Sequence, residues 1–154
     1  MRRAALLLAL AAACARPDRD AAAAVRRYDD ALVRAYRQAD ASELARVATA
    51  DEARRVAVLV DLKSAAKLVL ESELLAFRTD RVEVAPDARA AVVETTERWR
   101  YFDRHLVPGE APGPAFEREM SMQYDLAREG ESWKVRSVKT ISNHPIPPAA
   151  GAAR

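Results

Sequence analysis

Near Leu74 the spacing of apolar residues changes from three-and-four to two, and this one change divides the chain into a helical first half and a stranded second half. Side chains at a 3.6-residue period share one face of a helix, whereas side chains at period two share one face of a strand. The two halves must therefore form separate layers and bury their apolar faces against each other, an α+β arrangement.

Before the change, Val25, Tyr28, Leu32, Ala35, Tyr36 and Ala39 fall on one stripe, while Arg26, Arg27, Asp29, Asp30, Arg34 and Arg37 fill the remainder. This predicts an amphipathic helix of about 18 residues. Asp40 with Glu43, and Thr49 with Glu52, have the spacing of capping boxes. They predict a short helix burying Leu44 and Val47, then a third helix from Asp51 to Glu73. That third helix carries Val56, Val58, Leu59, Val60, Leu62, Leu68, Val69 and Leu70 on more than one stripe, so it is expected to be the most buried. After the change, residues 81–85, 90–102, 116–128 and 133–141 alternate as strands. Pro86-Asp87 and Glu129-Gly130 mark tight turns, and the Pro- and Gly-rich stretch 108–114 marks a longer loop. The expected fold is three N-terminal helices on one face of a curved, cone-shaped antiparallel meander of about four strands. A cystatin-like sheet gripping one helix is the alternative.

Turn positions also predict registers. A turn at Glu129-Gly130 sets Leu126 opposite Trp133, Met122 opposite Ser137 and Met120 opposite Lys139. Centring the longer loop sets Trp99 opposite Met120, Glu97 opposite Met122 and Tyr101 opposite Arg118. All the apolar partners then share one face. The other face carries Glu94, Arg98, Arg100, Glu117, Glu119, Gln123, Asp125, Lys134 and Arg136, and is expected to be wet.

Residues 1–13 have the order of a signal peptide: a positive start at Arg2-Arg3, an apolar run from Ala4 to Ala13 and small residues before Cys14. This run is too short to span a bilayer, which takes roughly 20 apolar residues. The single cysteine at the cleavage point resembles the lipobox of bacterial lipoproteins, although Ala11 stands where Leu is commonest. The resemblance implies a lipid on Cys14, a tether over 14–20 and attachment to the bacterial cell envelope. Ala15, rather than Asp, implies the outer membrane, facing the periplasm. The folded domain is expected over 21–142, with a disordered tail over 143–154.

The chain has 25 basic and 23 acidic residues, and loses two of the basic ones with the signal peptide. A balanced, interspersed charge argues against nucleic-acid binding, which needs clustered cations. A lone Cys and two separated histidines, His105 in a loop and His144 in the tail, argue against a disulfide, a metal site or a histidine base. No cofactor is expected.

Helices first, a meander of one-sided strands next and a Trp-Lys-Val-Arg strand after a Glu-Gly turn resemble the nuclear-transport-factor-2-like superfamily, which includes SnoaL-like proteins and ketosteroid isomerases. The resemblance is carried by Tyr28 to Tyr36, Ala91 to Tyr101, Tyr124-Asp125-Leu126 and Ser132-Trp133-Lys134-Val135, within residues 22–142. It implies a cone with a pocket, and a homodimer across the open sheet face, although the charged row here opposes a tight apolar one. Where Glu97, Arg118 and Lys139 interrupt the apolar face beside Trp99 and Tyr101, two readings stand: a ligand pocket lined by these five residues, or a partly solvated ion-pair cluster. The expected role is an envelope-anchored module that binds a small amphipathic ligand or an envelope protein. The rival is an isomerase or dehydratase with Glu97 as base and Tyr101 or Tyr124 as donor.

Overall fold

A computed structural model describes residues 17–147. The expectations for the signal peptide and for Cys14 lie outside those residues. Pro17 opens helix α1 (Pro17–Gln38), where its missing N–H is one of the free ones and its fixed φ is already helical. Asp18 and Asp20 in the first turn and Arg37 in the last oppose the helix dipole. The tether expected up to residue 20 is thus corrected, because 17–20 are helical.

The helical layer holds two α-helices, not three. The expected short helix is a single 3-10 turn (Ser42–Arg46) that buries Leu44. Its capping box does not form: the Ser42 N–H donates to Asp40 Oδ1 at 2.9 Å, closing a local turn, and Glu43 pairs instead with Arg34 at 3.1 Å. Helix α2 (Ala50–Ala65) likewise lacks a side-chain cap at Thr49, since Glu52 is drawn inward to Tyr28. It stops at Ala65 rather than Glu73 because Lys67, at φ 60°, turns the chain into the first strand. Nor is α2 the most buried helix: Val56 and Val60 are buried, while Val58, Leu59 and Leu62 are 54%, 46% and 62% exposed. Helix α1 takes that place, burying Ala21, Ala24, Val25, Tyr28, Asp29, Ala31 and Ala35.

Four strands, β1 (Leu68–Val84), β2 (Ala90–His105), β3 (Phe116–Glu129) and β4 (Ser132–Ile146), form an antiparallel sheet in sequence order. Strand β1 begins well before the expected Arg81, because the long β2 needs a partner along its whole length, from Leu68 opposite His105 to Val84 opposite Ala91. Strand β4 continues through 143–146, where a disordered tail was expected: Asn143 pairs with Met120 and Pro145 with Arg118. Pro145 is tolerated because β4 is an edge strand.

The last hairpin turns at Gly130-Glu131, one residue later than expected, with Gly130 taking the positive φ of 61° that this position demands. Leu126 therefore faces Val135, and in the preceding pair Trp99 faces Arg118 and Glu97 faces Met120. Each is a two-residue slip, which preserves the faces. Two bulges in β4 do not preserve them. The ladder passes over Arg136 and again over Ile141, so Trp133 and Val135 share a face with Val138 and Thr140. Lys139 moves to the outer face opposite Gln123, which corrects its expected inward position.

At one end the two layers close on a dry core of Val25, Leu44, Val93, Leu126, Trp133 and Val135. There the segment 47–49 runs beside β4, with the Thr49 N–H donating to the Val135 carbonyl and the Val135 N–H to the Val47 carbonyl, each at 2.9 Å. The outer sheet face carries ion pairs such as Arg98–Glu117, Arg100–Glu117 and Arg104–Glu71. Such solvated pairs add little stability but keep this face wet.

Candidate functional site

At the other end the helices diverge from the sheet and leave a cavity of about 560 Å³, within the usual range for small-molecule sites. Helix α1 contributes Tyr28, Asp29, Leu32 and Tyr36, and α2 contributes Val56, Leu59 and Lys63. The sheet supplies Leu70 and Ser72 from β1, Glu97, Trp99 and Tyr101 from β2, Met120, Met122 and Tyr124 from β3, and Val138 and Thr140 from β4. The walls are mostly apolar and aromatic. The polar groups gather at the floor.

Glu97 is 1% exposed and holds three donors. Its Oε1 accepts from Thr95 Oγ1 at 2.6 Å and from Tyr124 Oη at 2.8 Å, and its Oε2 accepts from Trp99 Nε1 at 2.7 Å. Asp29, also 1% exposed, places Oδ1 at 3.1 Å from the same Tyr124 hydroxyl. Its Oδ2 is buried and has no hydrogen-bond partner among the described residues.

A hydroxyl has one proton, so Tyr124 cannot donate to both carboxyls. Glu97 already accepts from Thr95 and Trp99, so each of its oxygens has a donor without Tyr124. With the Tyr124 proton pointing to Glu97, Asp29 must bring its own proton to Tyr124 Oη. Burial, and next the negative charge of Glu97, push the Asp29 carboxyl well above the usual carboxylate range. Burial, then Asp29 and Glu97, push Tyr124 far upward as well, which keeps its hydroxyl protonated. The floor is a relay running from the Asp29 O–H through the Tyr124 O–H to Glu97.

A second network lies beside it. Tyr28 packs edge-on against Tyr124, with ring centres 6.2 Å apart, and donates to Glu52 Oε1 at 2.6 Å. Arg55 grips both oxygens of Glu52, through Nε at 2.9 Å and Nη2 at 2.8 Å. This carboxylate is fully satisfied. Nearer the mouth, Lys63 pairs with Asp103.

Of the five residues expected to line a pocket, Glu97, Trp99 and Tyr101 do so. Arg118 keeps its expected face but sits past the cavity, donating from Nη1 to Asn143 Oδ1 at 3.2 Å. Lys139 is on the outer face, so the expected cluster with Glu97 is not assembled. Sequence reasoning missed Asp29. The signal was present: Asp29 lies four residues after Val25 and three before Leu32, on the apolar stripe of α1, although it was assigned to the polar face. Among the described residues no three His, Cys, Asp or Glu side chains gather as a metal would require.

No family model matches the chain, and no curated protein matches it by sequence. Among solved structures it is similar to the crystal structure of the intermembrane space region of the chloroplast protein ARC6, with a TM-score of 0.73 and 20% identity, over 81% of this chain and 96% of that one. At that identity the likeness is one of fold.

Proposed function

We propose that the chain is an envelope-anchored bacterial lipoprotein whose domain, a cone of the nuclear-transport-factor-2-like kind, binds a small amphipathic molecule. The observation that carries this reading is a cavity of about 560 Å³ with apolar walls and a floor where a buried oxygen, Asp29 Oδ2, has no partner among the described residues. An unmatched buried acceptor costs about 1–3 kcal/mol, and a ligand hydrogen-bonded there recovers it. In a thermal-shift screen, amphipathic compounds are expected to raise the melting temperature of the wild type but not of Met120→Trp, whose larger ring fills the cavity. The absence of any shift across neutral, cationic and anionic compounds would overturn the reading.

Anchoring rests on the pattern over residues 1–14, and Ala15 in place of Asp after the cysteine favours the outer membrane, facing the periplasm. Cys14→Ser is expected to release the protein from membranes or leave uncut precursor. Normal processing with full membrane retention would refute lipidation.

A second reading, a small-molecule isomerase or dehydratase, draws on the same relay, since a protonated carboxyl linked to an ionised one can pass a proton. Glu97 is poorly placed as its base, because three donors occupy its oxygens. Deuterium incorporation from solvent into a ketone substrate, abolished by Asp29→Asn, would favour this reading over simple binding.

A further inference from the structure

Resting on the ligand-pocket reading, the hydrogen-bond arithmetic of the floor specifies what the ligand must bring. If the Tyr124 proton points to Glu97, the Asp29 proton lies on Oδ1, the oxygen that meets Tyr124 Oη. Oδ2 is then a carbonyl oxygen, an acceptor with nothing to donate to it among the described residues. The missing partner is a donor. A ligand with only acceptors at its polar end, such as a ketone, an ester or a carboxylate, leaves Oδ2 as it was.

Charge narrows the class further. Glu97 lies directly behind the relay with three neutral donors and no cation on it. The cationic side chains lining the cavity are committed elsewhere: Arg55 to Glu52, and Lys63 to Asp103. Arg26, on the same helix as Asp29, lies over the Phe77 ring at 5.3 Å from its centre. The floor therefore carries a negative charge that no cation contacts among the described residues, Arg26 acting on Asp29 only from a distance, and in this low-dielectric setting a positive donor is attracted and an anion is repelled. Trp99, Tyr36 and Tyr101 add ring faces and edges along the walls, surfaces that suit an alkyl chain and can also attract a cation.

We propose that the cavity takes an amphipathic amine, its protonated nitrogen donating to Asp29 Oδ2 in the field of Glu97 and its apolar part lying between the helices and the inner sheet face.

Three probes with the same octyl chain test this on the purified wild-type protein by calorimetry: octylammonium, octan-1-ol and octanoate. Octylammonium is expected to bind about tenfold or more tightly than octanol, from the stronger charge-assisted hydrogen bond, with octanoate the weakest. Asp29→Leu removes the acceptor and should erase the preference for the amine. Asp29→Asn should keep it within about threefold, because its amide can donate to Tyr124 while its oxygen takes the place of Oδ2. Octanol or octanoate binding as tightly as the amine would overturn the ligand class and leave the pocket reading intact. Failure of all three probes to bind would overturn both. A preference surviving in folded Asp29→Leu would also refute the proposal, and should that variant not fold, the wild-type ranking decides alone.

Discussion

Tyr28 and Tyr124 touch edge to face, yet their hydroxyls serve carboxylates in opposite circumstances. Glu52 faces Arg55 at the surface, accepts two guanidinium hydrogen bonds in addition to that of Tyr28, and forms a closed unit. Glu97 and Asp29 share one hydroxyl, have neutral donors in place of a cation, and keep an extra proton instead. The first arrangement ties α1 to α2. The second leaves an atom unmatched beside a cavity, where a bound group could reach it. A buried acid is thus not by itself a pointer to a site; what distinguishes these two is whether the surrounding chain supplies the counter-charge.

The largest expected effect is on the wall that the open network leans on. Trp99→Ala should cost about 3–5 kcal/mol in chemical denaturation, because it removes a buried ring and one of the donors to Glu97. A loss below about 1 kcal/mol would show that the indole does not reach the interior.

Next comes the direct contrast. Tyr124→Phe leaves two buried carboxyls with no bridging hydroxyl and should cost about 2–3 kcal/mol, whereas Tyr28→Phe leaves Glu52 on Arg55 and should cost about 1 kcal/mol. Equal losses would mean that the two networks do not differ as described.

The last effect starts from nothing at about pH 4, has the opposite sign and depends on pH. Asp29 has its folded-state carboxyl raised above the ordinary value of 3.8, so the folded protein keeps a proton that the unfolded chain releases. Its contribution to stability is therefore complete below that value and declines as the pH rises toward the folded-state value. Asp29→Asn mimics the protonated group and does not titrate. The variant should gain on the wild type from pH 4 upward, by at most about 1.4 kcal/mol per pH unit. A difference that stays flat with pH would show that Asp29 titrates as an exposed carboxyl does.

The layers were legible in the sequence because period is a local property: the stripe of α1 and the alternation of β2 and β3 each repeat over many residues. The boundary between α2 and β1 was not, since Leu68-Val69-Leu70 fits a buried helix as well as a strand, and the choice was made by distant pairing with 103–105. Glu97, Trp99 and Tyr101 were found because β2 alternates without a break opposite β3. Lys139 departs from plain alternation because β4 bulges at Arg136, where no Gly or Pro announces it. Asp29 is hard to read because its charge marks it as polar while its helical position sets it on the apolar stripe of α1.

Those bulges have a bearing on how such a gene can change. Deleting the codon for Arg136 would join Val135 to Ser137 in unbroken alternation, and Val138 and Thr140 would stay on the cavity side with Lys139 outside. Lys139→Ala likewise alters one exposed side chain and leaves every neighbour in place. The facing of the cavity's fourth wall is thus set by where the β4 ladder bulges, and the bulged residue itself can be lost without turning that wall. Over residues 136–141, substitution at outward positions and loss of a bulged residue both leave the lining of the cavity in place.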